Sequence, residues 1–370
     1  MTRVLLVGAG HAHAQVLLDW ARAPLPGVQL TLLSPQAQAP YSGMVPGWLA
    51  GSYRYEEICI HFDALARAAG ARWVTDELAA LDPDAHAVTL ASGGTLGYDI
   101  LSLNVGSTLT PPADLGAPVL ALRPLAELRD RWHTLLQRWR ADAATGPAAV
   151  TMVGGGAAGV ESMLAALARL RGLQPQRRFS GRLIARGTTL LEGLPAGAAR
   201  KAERALHDAG VTLRLGSDFV AQDAERSDLV LWATGAEAQA WQRDAKRRGT
   251  LAVNEPGFIH IDEQLRSTSH PNIFAAGDCA AWQPPLPKAG VFAVRMGPVL
   301  AHNLRRAALG AGGLRAYRPQ RDFLVLLGTA DGRAIAARGP FSAQGRCLWR
   351  WKEHIDRGFL RRYNNLLSGA

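Results

Sequence analysis

The sequence has three cysteines in 370 residues, Cys59, Cys279 and Cys347, and no Cys-x-x-Cys pair. That spacing excludes a scaffold built on disulfides and a thioredoxin-type redox motif, both of which need cysteines in matched sets. No apolar run reaches the about 18 residues that span a bilayer, and the first strand-like run, Val4-Leu5-Leu6-Val7, follows the initial Met without a secretory leader. The expectation is a cytoplasmic chain without a spanning helix. No low-complexity tract interrupts a composition that is 48% hydrophobic, which is that of a globular protein. The formal charge of +10 is accompanied by no nucleic-acid motif, so nucleic acid is not an expected partner. Anionic cofactors, an anionic membrane surface and plain use of Arg as a surface solubiliser stay open as its explanation. At this length the chain is expected to form about two or three domains.

Glycine is what the sequence has in the right places. A buried strand-like run leads into Gly8-Ala9-Gly10, a helix from about His11 to Ala23, and a second strand, Val28 to Leu33. Strand, glycine turn, helix and parallel strand make a βαβ unit. Gly8 permits the tight bend, and Gly10 lets backbone N–H groups approach a pyrophosphate at the positive end of the helix. The third glycine position holds His13, and the second strand ends on Ser34-Pro35 where such sites usually place a ribose-binding acid. His11 and His13 point about 200° apart on a helix, so they cannot share a metal. His11 is read near the pyrophosphate or the flavin edge, and His13 as packing at the strand–helix crossing.

A second unit runs from Ala148 to Val153, through Gly154-Gly155-Gly156-Ala157-Ala158-Gly159-Val160-Glu161, to a strand over Gly181 to Ala185. Here the fingerprint is complete at Gly154, Gly156 and Gly159. The following strand ends on Arg186, which suits a 2′-phosphate and favours NADPH over NADH. A unit that binds nicotinamide cofactor poorly is the other reading of the missing acid. Two further apolar strands end in glycine: Leu229 to Gly235, closing on Thr234-Gly235, and Asn272 to Asp278, closing on Gly277-Asp278. In the second, glycine admits a flavin chain close to the backbone, and the carboxylate accepts from a ribitol hydroxyl.

This order of motifs resembles the two-dinucleotide-binding-domain flavoproteins, the pyridine nucleotide-disulfide oxidoreductase superfamily, over nearly the whole chain. The loop Pro40 to Pro46, the segment Pro287 to Ala293 and the tail Trp349-Arg350-Trp351-Lys352 are similar to type II NADH dehydrogenases and sulfide:quinone reductases. They are closer still to the flavoprotein module fused to some bacterial selenophosphate synthetases. The cysteines do not fall on the sulfur-relaying pattern of sulfide:quinone reductases, and a redox-active pair is absent. The resemblance implies FAD contacts at Gly8, Gly10, His11, Ala12, Ser34, Pro35, Tyr41, Gly43, Leu78, Gly106, Gly277, Asp278, Lys288 and Ala289. It implies NAD(P)H contacts at Gly154, Gly156, Gly159, Glu161, Arg186 and Gly235. The mechanism that the resemblance implies is hydride transfer from NAD(P)H to the flavin, with electrons expected to go on to an acceptor, a quinone. Lys288, beside a helix starting near Ala289, is assigned to stabilising the reduced flavin, and Glu161 to the nicotinamide side. A soluble flavoprotein acting on a sulfur or selenium compound, and a flavin-binding module with vestigial activity, are the alternatives.

The expected fold is α/β, with two Rossmann-like dinucleotide-binding domains and a small C-terminal α+β region. An FAD-binding domain, 1–112 and 253–312, receives an inserted NAD(P)-binding domain, 113–252, and is followed by a region over 313–370. In that last region Leu348, Trp351, Ile355, Phe359, Tyr363 and Leu366 recur every three or four residues, the pattern of an amphipathic helix. Its apolar face is expected to pack on the body or on a homodimer partner, or to lie on the inner face of the cytoplasmic membrane.

Overall fold

The computed structural model describes residues 1–365. The chain opens with β1 (Thr2–Val7), α1 (His11–Arg22) and β2 (Val28–Leu33). β1 is buried continuously from Val4 to Val7, as a strand inside a parallel sheet must be. A short β3 (Arg72–Val74) follows, then an antiparallel excursion of β4 (Leu78–Asp82), β5 (Ala87–Leu90) and β6 (Thr95–Gly97), then β7 (Ile100–Leu103). β1 pairs in parallel with β2 on one side and with β7 on the other.

The chain next builds a second parallel sheet from β8 (Val119–Ala121), β9 (Ala148–Val153), β10 (Phe179–Ala185), β11 (Val211–Leu215) and β12 (Leu229–Trp232). Its order is β8-β12-β9-β10-β11, with α2 (Leu125–Ala141), α3 (Ala157–Leu173) and α4 (Ala196–Asp208) as connections. The chain then returns through β13 (Ile273–Ala275), which pairs with β7 and completes the first sheet as β13-β7-β1-β2-β3. α5 (Gly290–Ala308) packs on α1, each using an apolar stripe. An antiparallel sheet of β14 (Val325–Gly328), β15 (Ala334–Arg338) and β16 (Phe341–Gly345) and the helix α6 (Arg346–Asn364) end the described chain. The class is α/β with two Rossmann-like units, as the two glycine turns indicated. Among the described residues no helix is long and apolar enough to cross a membrane.

α6 corrects the expectation about its own face. It buries Lys352, Asp356, Leu360 and Tyr363, while Trp351 is 45% and Ile355 39% exposed. Leu348 and Phe359 are half-buried, and Leu366 lies outside the described residues. Periodicity counts Lys352 as solvent-facing. Here the ammonium is 2.8 Å from Asp356, one turn on, and donates to the Gly43 carbonyl at 2.6 Å. Two charges that satisfy each other can occupy a buried face from which either alone would be expelled.

Candidate active site

The first glycine turn is built by close approach. Gly8 has φ +96°, and a Cβ on it would lie 2.6 Å from the Asn104 carbonyl oxygen. α1 begins with Gly10 as its N-cap, with no side-chain cap there and no acidic residue in its first turn. Two N–H groups of its first turn, Ala12 and His13, donate to the Asn104 side chain, so the earlier amides of the turn are the ones left to an anion. Gly277 has φ +74° and packs against the Asn104 side chain, as does Gly10, so the β1–α1 turn and the turn after β13 are drawn together. Asp278 follows directly. Gly106 also has positive φ and borders open space. Ser34 closes β2 with its hydroxyl donating to the Gln36 carbonyl at 3.3 Å, and Pro35 is exposed behind it. Leu78 packs at the margin of the main core.

His11 is half-buried between Tyr41 and Phe359, with ring centroids 5.6 and 6.0 Å away, and its enclosed Nε2 has no partner. Burial pushes its pKa down to about 4 against the pull of Asp278, so the ring is neutral. An orphaned buried nitrogen near Asp278 is a group that a polar ligand satisfies. The free amides that begin the turn, the glycine cradle and this nitrogen together fit a bound FAD. His13 is spoken for: Nδ1 donates to the Gly8 carbonyl at 2.7 Å, which leaves Nε2 to accept from the Ser102 hydroxyl at 2.8 Å.

Arg123, in the loop after β8, escaped the sequence reading. Its guanidinium lies 2.5 Å from Asp278, also donates to the Ser107 hydroxyl, and reaches the Lys288 carbonyl at 3.3 Å. The second sheet thus sends a cation onto the Gly277-Asp278 turn. Lys288 stands directly before the N-cap of α5 and its ammonium is engaged within the protein. Ala289 is the N-cap of α5, so the backbone is where the sequence put it. The ammonium donates to the Ala280 carbonyl at 2.5 Å and sits 3.8 Å from the centroid of the Phe258 ring. Burial lowers its pKa, and the carbonyl and the ring face absorb the charge.

The second turn repeats the construction. Gly154 has φ +124° and touches the Ala233 carbonyl; Gly159 touches the Gly154 carbonyl, so neither admits a side chain. Gly156 is the N-cap of α3, and both it and Gly235 border open space. Arg186 is exposed directly after β10.

Where the two units and the C-terminal region meet, Gly43, Tyr53, Glu161, Trp349, Lys352 and Asp356 line a small cleft. Glu161 is buried and accepts from the Gly328 N–H at 2.7 Å. Burial pushes its pKa up to about 7, against the opposing effects of Lys352 and of that bond. Asp356 is also raised by burial, with Lys352 working the other way. A carboxyl poised near neutrality across from an ammonium can take and give protons to a bound molecule. The sequence supplied Glu161 and Gly43; the roles of Lys352 and Asp356 were hidden in a helix pattern, and only their four-residue spacing could have flagged them.

The sequence profile of the pyridine nucleotide-disulphide oxidoreductase family matches residues 2–308. The chain belongs to that family. Members pair FAD with NAD(P)H, and this protein is an NAD(P)H-dependent flavoprotein oxidoreductase. Within the family, it is 28% identical over 316 residues to an NADH dehydrogenase-like protein of Mycobacterium tuberculosis, covering 76% of this chain and 73% of that one. It is 21% identical over 375 residues to the type II NADH:quinone oxidoreductase of Staphylococcus aureus, covering 92% and 91%. The sulfide:quinone oxidoreductase structure from Aquifex aeolicus superposes with a TM-score of 0.77 at 16% identity, over 99% of this chain and 92% of that one, which shows a common fold.

Proposed function

We propose that this oxidoreductase takes a hydride from NAD(P)H onto FAD and passes the electrons to a quinone, in the cleft lined by Glu161 and Lys352. The observation that carries the reading is the Glu161 carboxyl, held near neutrality by burial, in a cleft whose lining also includes Lys352 and the Tyr53 and Trp349 rings. Reducing a quinone to a quinol consumes two protons as well as two electrons, and a carboxyl near neutral pKa delivers protons at physiological pH.

FAD, when bound, supplies the hydride-accepting chemistry. Gly8, Gly10, His11 and Ala12 would hold it at the first turn, and Gly277, Asp278 and Ala289 along the second wall, with Tyr41 and Gly43 at the cleft end. Gly154, Gly156, Gly159 and Gly235 would hold the nicotinamide cofactor, with Arg186 on a 2′-phosphate. The units are 1–112 with 253–312 for FAD and 113–252 for NAD(P)H. Burial pushes the thiol of Cys59 up to about 12 and that of Cys279 up to about 11, so both stay protonated and unreactive, which supports chemistry without a redox disulfide. The exposed Trp351 and Ile355, beside Arg350 and Arg357, suit peripheral contact with an anionic membrane that would hold the acceptor.

The test is anaerobic stopped-flow mixing with NADH and NADPH, followed by a quinone. Bleaching of the flavin absorbance by a nicotinamide and its return on adding quinone are expected. Flavin that never bleaches with either donor would sink the proposal. Reoxidation by sulfur or selenium compounds, but not by any quinone, would move the acceptor to the alternative class.

A further inference from the structure

Asn104 is the first residue beyond β7, and its side chain is buried between the two walls assigned above to FAD. Its Oδ1 accepts from the N–H groups of Ala12 and His13 at 3.1 and 3.3 Å, in the first turn of α1. Its Nδ2 donates to the Ala276 carbonyl at 2.6 Å, on the opposite wall just before Gly277-Asp278. The two glycines that flank it make room for this amide: a Cβ on Gly10 would overlap Oδ1, and one on Gly277 would lie 2.9 Å from Nδ2. One carboxamide therefore joins two backbone turns that belong to strands far apart in sequence.

We infer that Asn104 is a positioning residue of the flavin site, an amide clamp that sets the separation of the α1 N-terminus and the Gly277-Asp278 turn. The physical reason is the side chain's dual character. An amide offers an acceptor at one end and a donor at the other, which matches helix N–H groups on one side and a carbonyl on the other. Alanine offers neither, and a carboxylate offers only acceptors. By satisfying Ala12 and His13, Asn104 also leaves the earlier amides of the turn as those directed to an anionic ligand. The missing third glycine of the first fingerprint has its counterpart here: His13 fixes the helix to Gly8 and Ser102, and Asn104 fixes it to β13.

The inference rests on the assignment of these turns to FAD, and the experiment separates the two. FAD is stripped and rebound to wild type, Asn104→Asp, Asn104→Ala and Asp278→Asn, with Kd read from flavin fluorescence between pH 5 and 8. Asn104→Asp is close to isosteric and is expected to weaken FAD at least tenfold at pH 8, where the carboxylate cannot donate to Ala276 and repels the diphosphate. Its Kd should recover toward wild type only once the pH is low enough to protonate the introduced acid, which then donates again. His11 and His13 on α1, Asp278 after β13 and Arg123 face the same region, so the result is read as the difference from the wild-type profile. Asn104→Ala should weaken binding with no recovery of this kind. Asn104→Asp or Asn104→Ala binding FAD like wild type at pH 8 overturns the clamp. If Asp278→Asn also binds like wild type, the assignment of the turns to FAD falls with it.

Discussion

The Lys352 ammonium and the Asp356 carboxylate lie 2.8 Å apart on consecutive turns of α6, both about nine-tenths buried. Each is costly to leave alone away from water, and together they form one neutral unit on the wall of the cleft. Because Lys352 also donates to the Gly43 carbonyl, the pair fastens the last helix to the loop that follows Tyr41.

Lys352→Met is therefore expected to destabilise the fold by about 3 to 5 kcal/mol, since it strands Asp356. Lys352→Met with Asp356→Leu should regain most of that loss while activity with the acceptor stays low. Denaturant unfolding of the three proteins checks it. A double variant as unstable as the single one would show that the pair is not a unit.

Glu161 gives a pH dependence with a defined sign. Its folded pKa is about 7 against 4.5 for an ordinary glutamate, so the folded state binds the extra proton between those values. Stability contributed by this group falls as pH rises from about 4.5 through about 7, and is level outside that window. His11 and His13, pushed down to about 4 by desolvation of their rings, act in the opposite direction as pH falls below 6.5. The comparison is thus the wild type minus Glu161→Gln, whose stability difference should decline across that window. A flat difference would show that Glu161 ionises as an exposed carboxyl does.

Arg123→Ala removes the cation from Asp278. FAD Kd should rise by about tenfold, the equivalent of one charged hydrogen bond, with Arg123→Lys intermediate because lysine lacks the planar fork. Equilibrium ultrafiltration of flavin measures this. Unchanged retention in Arg123→Ala would assign the contact to apoprotein packing.

Arg186→Ala should raise the KM for NADPH by about tenfold and leave that for NADH within about twofold, because the lost charge faces only a 2′-phosphate. Steady-state kinetics with both donors decide. Equal effects on the two would place Arg186 away from the ribose.

Trp351→Ser with Ile355→Ser alters only exposed side chains, so folding should be unaffected. Sedimentation with anionic liposomes at low salt should fall from partial binding to none. Wild-type protein that never sediments with them would reject membrane contact through α6.

The sequence alone determined the α/β class, the two glycine turns and the Gly277-Asp278 turn, because these depend on local rules: strand burial, positive φ, and backbone approach that only glycine allows. It also supplied His11 and Glu161 as residues near those turns, since short spacing survives folding. Tertiary structure alone decided which side chains cross between units. Arg123 meets Asp278, Asn104 bridges α1 to β13, and Lys352 joins Gly43 across 309 positions, none of which leaves a periodic trace. It also decided which face of α6 is inside and where the Lys288 ammonium goes. Hydrophobic periodicity assumes that charges face water, and a charge with a partner of its own escapes that assumption.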